Sequence, residues 1–194
     1  EYAGCDIAET IELRAIESVP NTLNIYFVPE NTPALGEPGI CGISTFPGGG
    51  SPQGIVVFNG CTTLAPGGNA TFMHEVGHCF GLYHTHETAG GVECVERTNC
   101  SFAGDGFCDT AADPNLSLPG NMGGFCTYTG TVLDQCGSGM PYTPPVTNIM
   151  SYAPDPCPTL FTTEQFAAML STAENERVSH LRSTLCEFSG FTTT

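Results

Sequence analysis

Apolar residues recur at helical spacing near the two ends of the chain and in short β-like runs between them. Ile7, Ile11 and Ala15, with Leu13 and Ile16 less regularly placed, predict a helix over residues 7–17, stopped by Pro20 and Asn21. Leu23 to Val28 (LNIYFV) is β-branched and aromatic and predicts a strand, followed by a Pro/Gly/Asn-rich loop from Pro29 to Gly39. A second strand is expected in GIVVFNG, Gly54 to Gly60, after a glycine-rich loop at Pro47 to Gly50. A helix is expected from about Phe72, with Thr71 as its N-cap. Between Thr85 and Pro158 the periodicity vanishes. It returns at Thr162, which with Gln165 forms a capping-box signature opening a long amphipathic helix, with Phe166, Leu170, Arg177 and Leu181 near one face. No internal repeat or linker divides the chain, so one domain is expected.

Composition explains the aperiodic stretch. The 194 residues include 24 Gly and 15 Pro, and six of the 11 cysteines lie between Thr85 and Pro158. Cross-links, and a metal as well, are expected to fix that segment in place of regular elements. No C-x-x-C pair occurs, so the cysteines read as a disulfide framework of an oxidising compartment, and Glu1 reads as the start of a processed, secreted chain. The net charge is −16, and the only cations are Arg14, Arg97, Arg177 and Arg182. Four scattered arginines cannot neutralise a row of phosphates, which excludes nucleic acid and anionic membranes as partners. The apolar runs are also too short to span a bilayer.

Chemistry concentrates in HEVGHCFGLYH, His74 to His84. Residues four apart on a helix share a face, so His74 and His78 can present ring nitrogens to one ion while Glu75 lies beside it without ligating. Gly81 permits positive φ, letting the chain turn out of the helix and bring His84 back to the same ion. Three neutral imidazoles leave a fourth position open, the arrangement of a catalytic rather than a structural zinc. His86 and His180 read as surface or packing residues.

These residues resemble the extended zinc motif of the metzincin metalloendopeptidases, and NIMSY, Asn148 to Tyr152, is similar to their Met-turn. GLYHTH, GDGFCDT, NIMSY and the spacing of Asp155, Cys157, Phe161, Thr162 and Gln165 together resemble the pappalysin family over about residues 54–170. The resemblance implies a secreted, monomeric endopeptidase acting on proteins or peptides. Glu75 would be the general base, Tyr152 a hydroxyl near the reacting carbonyl, and Met150 the base beneath the histidines. Asp155 would form the wall of the pocket after the scissile bond, favouring Arg or Lys there. It also implies calcium in the acidic loop that follows the zinc motif, held by carbonyls of Gly104 and Cys108 and side chains of Asp105 and Thr110.

The family pattern further suggests disulfides Cys100–Cys136 and Cys126–Cys157. Sequence proximity suggests Cys41–Cys61 and Cys94–Cys108, Cys5–Cys186 could join the termini, and Cys79 is left as a buried thiol. The implied fold is α+β and metzincin-like. A small upper lobe, about residues 1–84, carries a mixed sheet and the zinc helix, and an irregular disulfide-rich lower lobe, about 85–194, ends in a helix. Only 73 residues precede His74, fewer than a full metzincin upper lobe needs. GIVVFNG is then expected as the open edge strand above the zinc, where an extended substrate could pair. A protein-binding module with impaired catalysis is the alternative reading.

Overall fold

The computed structural model of the chain describes residues 7–29, 40–50, 52–61 and 70–177. Its centre is strand β3, Ile55–Phe58, which is buried at all four positions. Such a continuous apolar run suits a strand covered on both faces and paired on both edges. Strand β1, Ile25–Val28, lies parallel to it with Ile25 opposite Ile55 and Val28 opposite Phe58. Strand β2, Gly42–Ser44, lies antiparallel on the other side, Gly42 opposite Val57 and Ser44 opposite Ile55. The order β1-β3-β2 corrects the expectation that GIVVFNG forms the edge: it is central, and the cleft edge is β2, a three-residue strand too short to register as a periodic run.

Alternation along β3 sends its side chains to two cores. Val56 and Phe58 join Val28 on one face, where Leu13 of helix α1, Ile7–Glu17, packs against them. Ile55 and Val57 face the other way, onto Cys79, Phe72, Val76 and Phe80 of the segment containing helix α2, Thr71–Cys79. Each fully buried aliphatic side chain contributes roughly 1.5–3 kcal/mol, so β3 anchors α2 against the sheet. Cys79 is a buried free thiol within this core.

Two helix expectations need correction although the helices exist. In α1 the buried line is Thr10 and Arg14, whereas Ile11 is 47% exposed. The Arg14 stem lies close to Gly54, and its Nε donates to the Thr10 carbonyl at 3.1 Å, so an aliphatic stem does the work assigned to isoleucines. Helix α2 starts at Thr71, one residue earlier than expected, with Ala70 as its N-cap and no side-chain cap.

Helix α3, Thr163–Asn175, opens on the expected box: Gln165 N–H donates to Thr162 Oγ1, and Thr162 N–H donates to Gln165 Oε1. Phe166 and Leu170, expected to face inward, are 57% and 59% exposed, while Gln165 is fully buried and Ala168 and Met169 pack inward. Leu181 and His180 lie outside the described residues.

The aperiodic segment is held by turns and disulfides. Cys41–Cys61 and Cys126–Cys157 form as expected. The other two differ: Cys94 bonds Cys136 and Cys100 bonds Cys108, not Cys100 with Cys136 or Cys94 with Cys108. Positive φ at Gly104 and Gly106 lets the chain double back within eight residues, bringing the Cα atoms of Cys100 and Cys108 to 5.0 Å. Asp134 accepts from the Val95 and Cys136 N–H groups and holds Cys94 beside Cys136. Cys5 and Cys186 lie outside the described residues. Among those residues, no helix is long and apolar enough to cross a membrane.

Candidate metal centre

Helix α2 places His74 and His78 one turn apart, and the C-terminal turn then brings in His84. Gly81 adopts φ +92° as expected, and Leu82 N–H returns to the Gly77 carbonyl. The three Nε2 atoms form a nearly equilateral triangle: His74 to His78 3.1 Å, His78 to His84 3.0 Å, His74 to His84 3.1 Å.

Hydrogen bonding fixes which ring nitrogen carries the proton. His74 Nδ1–H donates to the Ile149 carbonyl at 2.8 Å, and His78 Nδ1–H donates to the Leu82 carbonyl at 2.7 Å. A carbonyl only accepts, so both Nε2 atoms carry lone pairs, directed at one point shared with His84. Burial pushes all three imidazoles towards the neutral form, His78 to about 4 and His84 to about 2, with the neighbouring imidazoles adding to the shift. Three converging ring nitrogens, two of them with their lone pairs directed inward, form a candidate cation site, and the donor set fits zinc.

Glu75 is 6% exposed, and burial raises its carboxyl to about 8 in the metal-free protein. It lines a cleft of about 350 Å³ together with the three histidines, the β2 edge and Tyr152. The close fit rests on Gly42 of β2, where a Cβ would come within 2.6 Å of Glu75 Cγ and Oε1. Sequence reasoning missed Gly42; its one signal is a glycine opening a strand on the face that meets α2. Tyr152, 42% exposed, packs its ring 4.5 Å from that of His84 and 4.6 Å from that of His86. His86 stacks nearly parallel on His84, with ring centroids 5.0 Å apart, and so packs directly behind a candidate ligand.

Met150 is fully buried with Leu82, Ile149 and Phe161, against helix α2. Gly77 faces it, and a Cβ there would run into Met150 Sδ. The Met-turn is tied by a polar hub absent from the expected site. Asn148 Oδ1 accepts from Met150 N–H at 2.8 Å, Asn148 Nδ2 donates to Gln165 Oε1 at 2.9 Å, and Gln165 Nε2 donates to Asp105 Oδ2 at 3.2 Å. Thr85 N–H donates to the Met150 carbonyl, joining the zinc loop to the same turn.

The remaining expected residues are not part of this cluster. Asp155 is exposed, and its Oδ1 accepts from Ala70 N–H at 3.2 Å, at the N-terminal end of α2 and outside the described lining of the cleft. Gly104 and Asp105 sit beside Glu93, whose two carboxylate oxygens are buried without a partner, as is Thr110 Oγ1. Burial and the nearby Asp105 raise Glu93 to about 7, and burial raises Asp105 to about 6. The Cys108 carbonyl already accepts from Arg97 Nη1 at 3.1 Å.

Comparison with known proteins agrees with this arrangement. Residues 21–174 match the model of peptidase family M43, described as pregnancy-associated plasma protein-A. Human pappalysin-1 is 32% identical over 155 residues, which cover 76% of this chain and 9% of that protein. An extracellular metalloprotease of Colletotrichum graminicola is 34% identical over 160 residues, covering 77% of this chain and 48% of its own length. The chain therefore spans about half the length of such fungal relatives and about a tenth of pappalysin-1. Mature mirolysin of Tannerella forsythia, solved in complex with a cleaved peptide, shares the fold at a TM-score of 0.53 and 22% identity, covering 83% of this chain and 57% of that one. The α+β architecture is thus metzincin-like, and with the family model spanning both the histidine triad and the Met-turn, the chain belongs to peptidase family M43, the pappalysin metalloproteases.

Proposed function

We propose that the chain is a secreted, zinc-dependent endopeptidase, one catalytic domain acting as a monomer on protein or peptide substrates. The observation that carries this reading is the triangle of three converging Nε2 atoms opening into the same cleft as a buried carboxylate. His74, His78 and His84 would hold the ion. When bound, zinc supplies a Lewis acid that polarises a peptide carbonyl and brings the pKa of water towards ~7.

Glu75 takes the proton of the attacking water and returns it to the leaving amine. Burial suits this role, because a carboxylate held out of water is a stronger base than one at its ordinary pKa. Tyr152, beside His84, donates its hydroxyl to the carbonyl oxygen as charge develops there. Met150 supports the histidines by packing alone.

Asp155 supplies a preference for Arg or Lys just after the cut. Only its Oδ1 is engaged by Ala70, and the side chain is exposed beside the Met-turn. Calcium occupies the acidic loop, with Asp105 and Thr110 as side-chain ligands and Gly104 and Cys108 contributing carbonyls. The buried carboxylate oxygens of Glu93, which lack a hydrogen-bond partner, support a cation site there. Four disulfides and the extracellular relatives support secretion.

Glu75→Gln tests the mechanism. It keeps the ligands intact, so zinc measured by elemental analysis should stay stoichiometric while casein cleavage falls on the order of 10²–10⁴-fold. Cleavage close to the parent rate would remove Glu75 from the role of base.

A further inference from the structure

Helix α2 has distinguishable ends. Asp155 binds Ala70 at its N-terminal end, whereas Phe46 reaches its C-terminal end, the ring lying 5.2 Å from that of His78 and stacked 5.1 Å from that of Tyr83. Nine residues separate these ends by about 13 Å at 1.5 Å per residue, so the two features meet different parts of any extended peptide.

Strand β2 gives the direction. A peptide added antiparallel to it, the orientation with the better ladder, runs from the Phe46 end towards Gly42. Gly42 abuts Glu75, which marks the bond being cut. Residues that meet Phe46 and Tyr83 therefore precede that bond, while Asp155 lies on the far side.

The same cleft has a second carboxylate. Glu87 lines it with Phe46, Tyr83 and the histidines, in the turn after the third ligand where Glu87 N–H donates to the His84 carbonyl. Its Oε1 accepts from the N–H groups of Thr88 and Ala89 at 2.6 and 2.8 Å, which fixes the side chain. A fixed carboxylate sharing one cleft with a half-exposed tyrosine stacked on a phenylalanine matches a guanidinium or ammonium, which gains both a charged hydrogen bond and a ring face.

The geometry points to a subsite for arginine or lysine on the amino side of the scissile bond, formed by Glu87 with Phe46 and Tyr83. It rests on the endopeptidase reading for the position of the cut, not for the chemistry of recognition.

The test uses heptapeptides carrying arginine, or its neutral isostere citrulline, at each position in turn, with the zinc-loaded chain. One arm measures kcat/KM. The other measures anisotropy of labelled peptides on Glu75→Gln, which reads recognition whether or not the chain cleaves. Arginine at one position before the cut should exceed citrulline by about tenfold, and Glu87→Gln should bring that ratio to about one in both arms. Selective binding without cleavage would keep the subsite and refute the peptidase. Equal handling of arginine and citrulline in both arms, or a ratio that survives Glu87→Gln and is lost in Asp155→Asn, would overturn the subsite.

Discussion

Gly42→Ala isolates the positioning of the proposed general base, Glu75, from the metal. A Cβ at this residue would lie 2.6 Å from Glu75 Cγ and Oε1 and 2.8 Å from Cδ, while ordinary contact begins near 3.4 Å. The carboxylate must then retreat by roughly 0.8 Å, or β2 must lift, because Glu75 is already buried. A displacement of about 1 Å in a catalytic group costs on the order of 10²-fold in rate, and crowding of this kind destabilises by about 1–3 kcal/mol. The three atoms nearest that Cβ all belong to Glu75 and none to a histidine, so the metal should be retained. The expected outcome is kcat lowered about 10²-fold, KM little changed, stoichiometric zinc and a Tm lower by several degrees, about 2–4 °C per kcal/mol. Glu75→Asp provides the companion measurement: its shorter stem leaves space for the methyl, so alanine at position 42 should cost little further activity in that background. A Gly42→Ala enzyme within about threefold of parental kcat would refute the claim that this contact sets the base, as would full additivity with Glu75→Asp.

Two other predictions concern the support of the site. Gly77→Ala drives a methyl into Met150 Sδ, so zinc should be lost to a chromophoric chelator faster than from the parent, with a lower Tm; unchanged release would remove Met150 from the support of the histidines. Glu93 and Asp105 are raised to about 7 and about 6 in the calcium-free protein, so the folded state binds more protons there than the unfolded chain does. Their contribution is complete below the ordinary carboxylate range and is lost as pH rises through about 6 to 7. Thermal melts without calcium should therefore show Tm falling across this interval, and added calcium should abolish the fall. A calcium-free protein lacking the fall would refute the burial that raises these two carboxylates.

The zinc motif was legible because its chemistry is local: helical spacing and one left-turning glycine specify the directions of His74, His78 and His84. Cys41–Cys61 and the box at Thr162 and Gln165 were legible for the same reason. What sequence reasoning missed depends on residues far apart. Gly42 is informative only once β2 is known to pack on Glu75, 33 positions later. Gln165 was recognisable as a cap, but its second role requires Asn148 and Asp105 to arrive from two loops, which also explains why Phe166 and Leu170 face outward. The swap among Cys94, Cys100, Cys108 and Cys136 has the same origin, since turn geometry selects partners that spacing leaves undecided. The apolar run IVVF correctly predicted a strand, but the expectation that it forms the edge was wrong, because it is central. That depended on β2, three residues long and without alternation.

The proposed selection of cationic residues beside the cut bears on the chain's own cations. The chain has no lysine, and of its four arginines Arg14 and Arg177 are each 5% exposed. Arg177 donates to the carbonyls of Cys79 and Thr45 and to Gln53 Oε1, so it ties the end of the zinc helix to the segment after β2 and is withheld from any second molecule. Arg97 is exposed, but it lies in a tight turn at φ +58° with Nη1 on the Cys108 carbonyl, a shape unlike the extended backbone a β2 edge accepts. Arg182 lies outside the described residues. An enzyme that selects cationic residues and whose described surface presents them only in a constrained turn limits cleavage by other copies of itself. Thr131 tests this directly, because it is exposed in an irregular segment, the kind of site where nicking concentrates. Thr131→Lys should self-digest faster than the parent at equal zinc and concentration, with a new amino terminus at residue 131 under reducing conditions, where the Cys94–Cys136 and Cys126–Cys157 bridges no longer hide the break. A Thr131→Lys protein that cleaves lysine-containing peptides at the parental rate yet survives as long as the parent would show that fold rigidity, not the scarcity of cations, protects the chain.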